Sequence, residues 1–148
     1  MKAILVAVLF TAGAVQMPAF GQETPVQLKG GKVASVDESK RWVDTKSVTF
    51  VDTRSVVNYG KGHIPGAISV AYKEKSDKVA DFDPSKDELD MSKLPADKKS
   101  TIVFYSDGPT GWKSYKAAVL ALQRGYSDVV YFRGGFAEWT GKGLPTER

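Results

Sequence analysis

The chain has no cysteine and one histidine, His63. Without cysteine there is no disulfide, no thiolate nucleophile and no cysteine-type zinc site, and a lone histidine cannot build a histidine site by itself. No metal and no cofactor is expected. Charge of one sign is also scarce: the net value is +4. No basic cluster is interleaved with aromatics, which argues against nucleic acid as a partner. Internal repeats and low-complexity segments are absent, and long apolar runs are confined to one place.

That run is Ala3 to Val15, preceded by Lys2 and followed by the small-x-small triplet Ala19-Phe20-Gly21. The pattern predicts an export signal over residues 1–21, removed after Gly21; the run is short for a membrane span or anchor. The expectation is an exported protein, periplasmic with secretion as the alternative, that keeps no stable membrane anchor once processed. Its core must then hold without the disulfides common in exported domains.

What is present suits one domain. At 148 residues, with 42% hydrophobic and 26% charged residues, the chain has room for a single core and not for two. Residues 22–31, "QETPVQLKGG", read as a linker, and the domain is expected over 32–148. Lys32 to Ala34 reads as a short edge strand, and Ser35 with Glu38 as a capping box for a helix over Val36 to Val43. Strands are expected at Val48–Val51, Ala67–Ala71, Thr101–Tyr105 and Asp128–Phe132. Helices are expected over Ser55–Tyr59 (a short turn), Lys113–Arg124 and Gly134–Trp139. Helices set between buried strands imply crossovers and a parallel sheet. Between Lys73 and Lys99 lie seven basic and eight acidic residues, a balance that predicts a solvated surface excursion anchored by Phe82, Leu89, Met91 and Leu94; a lid is the other reading.

In such sheets ligands sit beyond the carboxyl ends of the strands. Asp52 to Arg54, Ser106 to Trp112 and Arg133 to Gly135 all follow such ends. Gly66 and the Gly134-Gly135 pair sit where the chain must turn sharply. His63 is read as a polar tie for the Pro65 turn, with catalysis as the other reading. Trp139 is read as a core anchor, and Trp112 either walls a pocket or covers the core.

Three segments carry a resemblance to a known family. They are "VDTRSVVNYGKGHIPGAISV", "VFYSDGPTGWKSYKAA" and "VVYFRGGFAEW". Together they resemble the rhodanese homology domain of thiosulfate and related sulfurtransferases, from about Val33 to Leu144. The resemblance implies an α/β rhodanese-like fold: a central parallel sheet of four to five strands with helices on both faces. In that family a cysteine at the start of the loop carries sulfur as a persulfide. The matching residue here is Ser106, and the position where some exported relatives carry a second cysteine is Gly111.

This departure is chemical. A serine oxygen cannot carry and release sulfur, serine hydrolysis would need an adjacent base that His63 does not suggest, and phosphoryl transfer on related folds also uses cysteine. Backbone amides around Gly108 to Gly111 and the next helix N-terminus remain able to hold an anion, with Asp107 opposing it. Thr110, Trp112, Lys113, Arg54 and Arg133 complete the expected pocket. The sequence thus predicts an exported, catalytically silent domain that binds a small anion (thiosulfate, sulfate or phosphate) or a protein partner. The alternative is a sulfurtransferase whose cysteine has been replaced by serine in this sequence.

Overall fold

The computed structural model describes residues 22–148, so the expected export signal over 1–21 lies outside the described residues. Five parallel strands form one sheet: β1 (Lys32–Val33), β2 (Thr49–Asp52), β3 (Ile68–Ser69), β4 (Thr101–Tyr105) and β5 (Asp128–Tyr131), ordered β1-β5-β4-β2-β3. Four helices connect or follow them: α1 (Val36–Thr45), α2 (Val56–Lys61), α3 (Trp112–Gln123) and α4 (Gly135–Gly141). Among the described residues, no helix is long and apolar enough to cross a membrane.

Strand alternation divides the core between the two faces. Ile102 and Phe104 of β4 join Tyr115, Ala118 and Ala121 of α3 on one side; Val103 and Tyr105 join Trp42 of α1 and Trp139 of α4 on the other. Helices therefore cover both faces. The capping box forms as its spacing predicts: Glu38 N donates to Ser35 Oγ at 3.1 Å, and Ser35 N donates to Glu38 Oε1 at 3.2 Å. Strand β3 is shorter than expected, because only Ile68 and Ser69 keep ladder geometry before the chain leaves the edge.

Residues 22–31 are packed on the domain rather than strung out as a linker. Thr24 and Leu28 are buried, and Leu28 joins the α3-side core.

The excursion over 73–99 is ordered, with Phe82 and Leu94 buried and Leu89 and Met91 packed beside them. Its charges do not all face water. Asp87 accepts from the Lys75 and Ser76 amides at 2.7 Å each, from Tyr72 Oη at 2.7 Å and from Ser76 Oγ at 2.5 Å. Lys116 of α3, with no solvent exposure, reaches Glu74 Oε2 at 2.9 Å and Ser76 Oγ at 2.8 Å beneath the Phe82 ring. These contacts tie the excursion to the helix that follows the site loop.

Burial alone would raise the Asp87 carboxyl, but four donors outweigh it and hold the group down at about 2. A depressed carboxylate contributes stability that is full above the unfolded value near ~4 and is lost as pH falls through about 2. Denaturant melts across that window should show the protein losing roughly 2 kcal/mol more than an Asp87→Asn variant. Parallel acid limbs for the two proteins would remove Asp87 from this role.

Candidate functional site

Strand β4 ends at Tyr105, and the chain then turns through Ser106-Asp107-Gly108-Pro109-Thr110-Gly111 into α3. The floor beneath this turn is a buried polar network. Asp52, the last residue of β2, is in register with Tyr105. Its carboxylate accepts from Arg54 Nη2 at 2.7 Å, Arg54 Nε at 3.0 Å and Tyr105 Oη at 2.7 Å. Arg54 Nη2 also donates to Gly62 O at 2.7 Å, and its guanidinium lies 4.0 Å from the Phe136 ring centre. Burial lowers the Arg54 pKa, but the hydrogen bond and charge of Asp52 more than reverse this, so the cation is reinforced. Burial and then the Asp52 charge push the Tyr105 hydroxyl well above its ordinary value, keeping it a neutral donor. Thr53 N and Oγ1 each reach Tyr105 O at 3.0 Å, fixing the residue immediately before Ser106.

The loop is held from α4 as well. Phe136 N donates to Ser106 O at 2.9 Å and Ala137 N to Asp107 O at 2.8 Å. The first amides of α4, which has no side-chain cap, are thus capped by the loop. That contact requires close backbone approach: a Cβ on Gly135 would lie 2.6 Å from Ser106 O, and Gly135 has φ +60°.

Ser106 is 1% exposed, and its Oγ has no hydrogen-bond partner among the described residues. Beside it, a Cβ on Gly111 would lie 3.0 Å from Ser106 Oγ, 3.1 Å from Asp107 N and 3.2 Å from Gly108 O. Gly111 N donates to Gly108 O at 2.8 Å, closing the turn. Among the described residues the Asp107, Gly108 and Thr110 amides have no protein acceptor, Pro109 offers none, and α3 lacks a side-chain cap. Asp107 and Thr110 face solvent, and Lys113 is half-buried on the first turn of α3.

The two arginines do not meet the loop as free cations. Arg54 is committed to Asp52 and Gly62, as above. Arg133 Nη2 donates to Thr24 O at 3.0 Å and pairs with Glu23 Oε2 at 3.1 Å. Trp112 is buried and donates its Nε1–H to Gln22 O at 2.8 Å. The sequence reading missed Thr24, Tyr105 and Tyr131 as neighbours of the site. Their polar atoms meet partners from 41 to 109 positions away, which local patterns do not reveal.

The remaining motif residues are ties. His63 stacks on Tyr59 at 3.8 Å, its Nδ1 lies 2.9 Å from Tyr59 O, and its backbone pairs with Glu147. Gly66 at φ +78° turns the chain after Pro65 and donates its N–H to Glu147 Oε2 at 3.1 Å. Trp139 has no exposure and donates Nε1–H to Pro145 O at 2.8 Å. Gly134 precedes α4 in helical geometry.

Comparison with known proteins agrees with this architecture. A family model described as a rhodanese-like domain matches residues 35–142. A sulfurtransferase of Allochromatium vinosum is 31% identical over 114 residues, covering 77% of this chain and 92% of that protein. A tRNA uridine(34) hydroxylase of Yersinia enterocolitica is 30% identical over 121 residues, which cover 78% of this chain but 31% of the hydroxylase. Among solved structures, the human single-domain sulfurtransferase superposes with a TM-score of 0.55 at 20% identity, over 74% of this chain and 96% of that one. A thiosulfate sulfurtransferase from Pseudomonas aeruginosa gives 0.58 at 20% identity, over 81% of this chain and 21% of that one. At such identities the superpositions speak for the fold.

Proposed function

The chain belongs to the rhodanese-like domain family, and from that premise we propose that it is a non-catalytic member whose loop binds rather than transfers. One observation carries the reading. The residue that follows β4 and opens the loop is a serine, in a chain without any cysteine. A sulfur carrier must form and release an S–S bond, and no atom of this protein can do so. Serine-based hydrolysis has no support either, because the only histidine is engaged with Tyr59 and the C-terminal segment.

Anion binding at the loop is supported by the uncapped N-terminus of α3, the unspent amides of the turn and the partnerless Ser106 Oγ. The ligand class is a small oxyanion: sulfate, thiosulfate or phosphate. Exposed Asp107 weakens the attraction, so affinity is expected in the millimolar range rather than below it. We place the protein in an exported compartment, the periplasm, on the N-terminal pattern around Ala19 to Gly21. Titration with the three anions should shift the amide resonances of Asp107 to Lys113 and leave those of α1 unchanged. No shift with any of them would leave the loop without this ligand.

A further inference from the structure

The segment that precedes β1 lies beside the loop like a bound peptide. Trp112 Nε1 donates to Gln22 O at 2.8 Å, and Thr24 N donates to Pro109 O at 2.8 Å. Arg133 gives Nε and Nη2 to Thr24 O at 3.2 and 3.0 Å. The Thr24 side chain is 2% exposed; its Oγ1 lies 3.0 Å from Pro109 O and 2.7 Å from Tyr131 Oη. Glu23 is exposed and meets the guanidinium of Arg133.

The receiving groups come from three separate elements: the loop carbonyl of Pro109, the indole of α3, and Tyr131 with Arg133 at the end of β5. Two of them read backbone carbonyls and one reads a backbone N–H. Side chains are read by Tyr131 Oη together with Pro109 O, which select a hydroxyl, and by Arg133, which selects an acid. This is the chemistry of extended-peptide recognition, in which main-chain bonds give affinity and a few pockets give selectivity.

We propose that the slot formed by Pro109, Trp112, Tyr131 and Arg133 is a peptide-docking site, occupied in this structure by the chain's own Gln22–Thr24. The partner it fits is an extended protein segment with an acidic residue followed by threonine or serine, and that segment displaces the resident one. The inference rests on the non-catalytic, binding reading of this domain and gives the protein partner expected from the sequence its chemistry. Resident and incoming segments compete, so the apparent affinity for a partner falls by the fraction of molecules whose slot is closed.

The probe is an acetylated peptide of sequence Gln-Glu-Thr-Pro-Val, followed by the indole N–H resonance of Trp112. Thr24→Val keeps the shape of the side chain and removes the three hydroxyl contacts, to Pro109 O, Tyr131 Oη and Arg133 Nε, loosening the resident segment. The peptide should bind this variant about tenfold more tightly than the unmodified protein. Glu23→Gln, at an exposed position that leaves the core untouched, should act in the same direction by a smaller factor. A peptide with valine for threonine, which keeps the main-chain bonds and loses the hydroxyl contacts, should bind both variants about tenfold more weakly.

Equal binding of both peptides, or of the peptide to all three proteins, overturns the proposal. So does an absence of binding to both variants while their spectra show a folded domain. Concentration-dependent dimers of Thr24→Val that exclude the peptide would also overturn it, assigning the slot to exchange of this segment between two copies. The anion titration reads loop amides and the peptide titration reads the Trp112 indole, so either can fail without the other.

Discussion

Gly135→Ala should cost at least about 3 kcal/mol of stability, whereas Gly134→Ala should cost less than about 1 kcal/mol. The two glycines are adjacent but meet different demands. At Gly135 the backbone is left-handed, φ +60°, and a Cβ would meet backbone on three sides: Ser106 O at 2.6 Å, Gly108 N at 3.0 Å and Asp107 C at 3.1 Å. None of these atoms can swing away, since Phe136 and Ala137 hold the same carbonyls in hydrogen bonds. Gly134 has helical geometry, and a Cβ there would meet the side chain of Glu138: its carboxylate end can rotate aside, and its Cβ, at 3.0 Å, need give by only a few tenths of an ångström. Denaturant unfolding of the two variants measures the contrast. Amide shifts in Gly135→Ala should centre on Ser106 to Gly108. Equal costs for the pair would mean that α4 does not hold the loop.

This contrast shows what sequence can and cannot convey. The Gly-Gly-x-x-x-Trp spacing marked a turn and a buried tryptophan, and both are found, but spacing alone could not tell which glycine touches the loop. Strands β2, β4 and β5 were legible because each is a short apolar run on a sheet covered on both faces. The Ser35–Glu38 capping box was legible because its partners are three residues apart. Long-range polar pairing was not. Arg54 and Arg133 read as free cations near the loop, yet one is spent on Asp52 and the other on Thr24. Lys116 lies in a helix between Tyr115 and Ala117, where a lysine ordinarily reaches water; here Glu74 and Ser76 of the excursion cover it. Residues 22–31 looked like a linker because their composition is polar and glycine-rich. Three of the bonds that pin them run between main-chain groups and the Pro109–Trp112 and Arg133 region, and composition does not encode these.

The largest functional change expected from one substitution is at Ser106. A cysteine there would stand at the carboxyl end of β4, beside unspent amides and the uncapped N-terminus of a 12-residue helix. Those features favour the thiolate, while burial and the nearby Asp107 oppose it. Attack of this thiolate on thiosulfate breaks the S–S bond, forms the enzyme persulfide and releases sulfite; cyanide then removes the outer sulfur as thiocyanate and returns the thiolate. The supporting frame of Asp52, Arg54, Tyr105 and Gly135 is complete without the nucleophile. A nucleophile placed in a frame already formed is worth at least about a hundredfold in rate.

The direct test is intact mass after incubation with thiosulfate, for the unmodified protein and for Ser106→Cys, followed by thiocyanate assay with cyanide. One added sulfur and turnover are expected in Ser106→Cys alone. Sulfur on the unmodified protein, or thiocyanate formed by it, would contradict the reading of this domain as non-catalytic; a folded Ser106→Cys that stays unloaded would contradict the claim that only the nucleophile is missing.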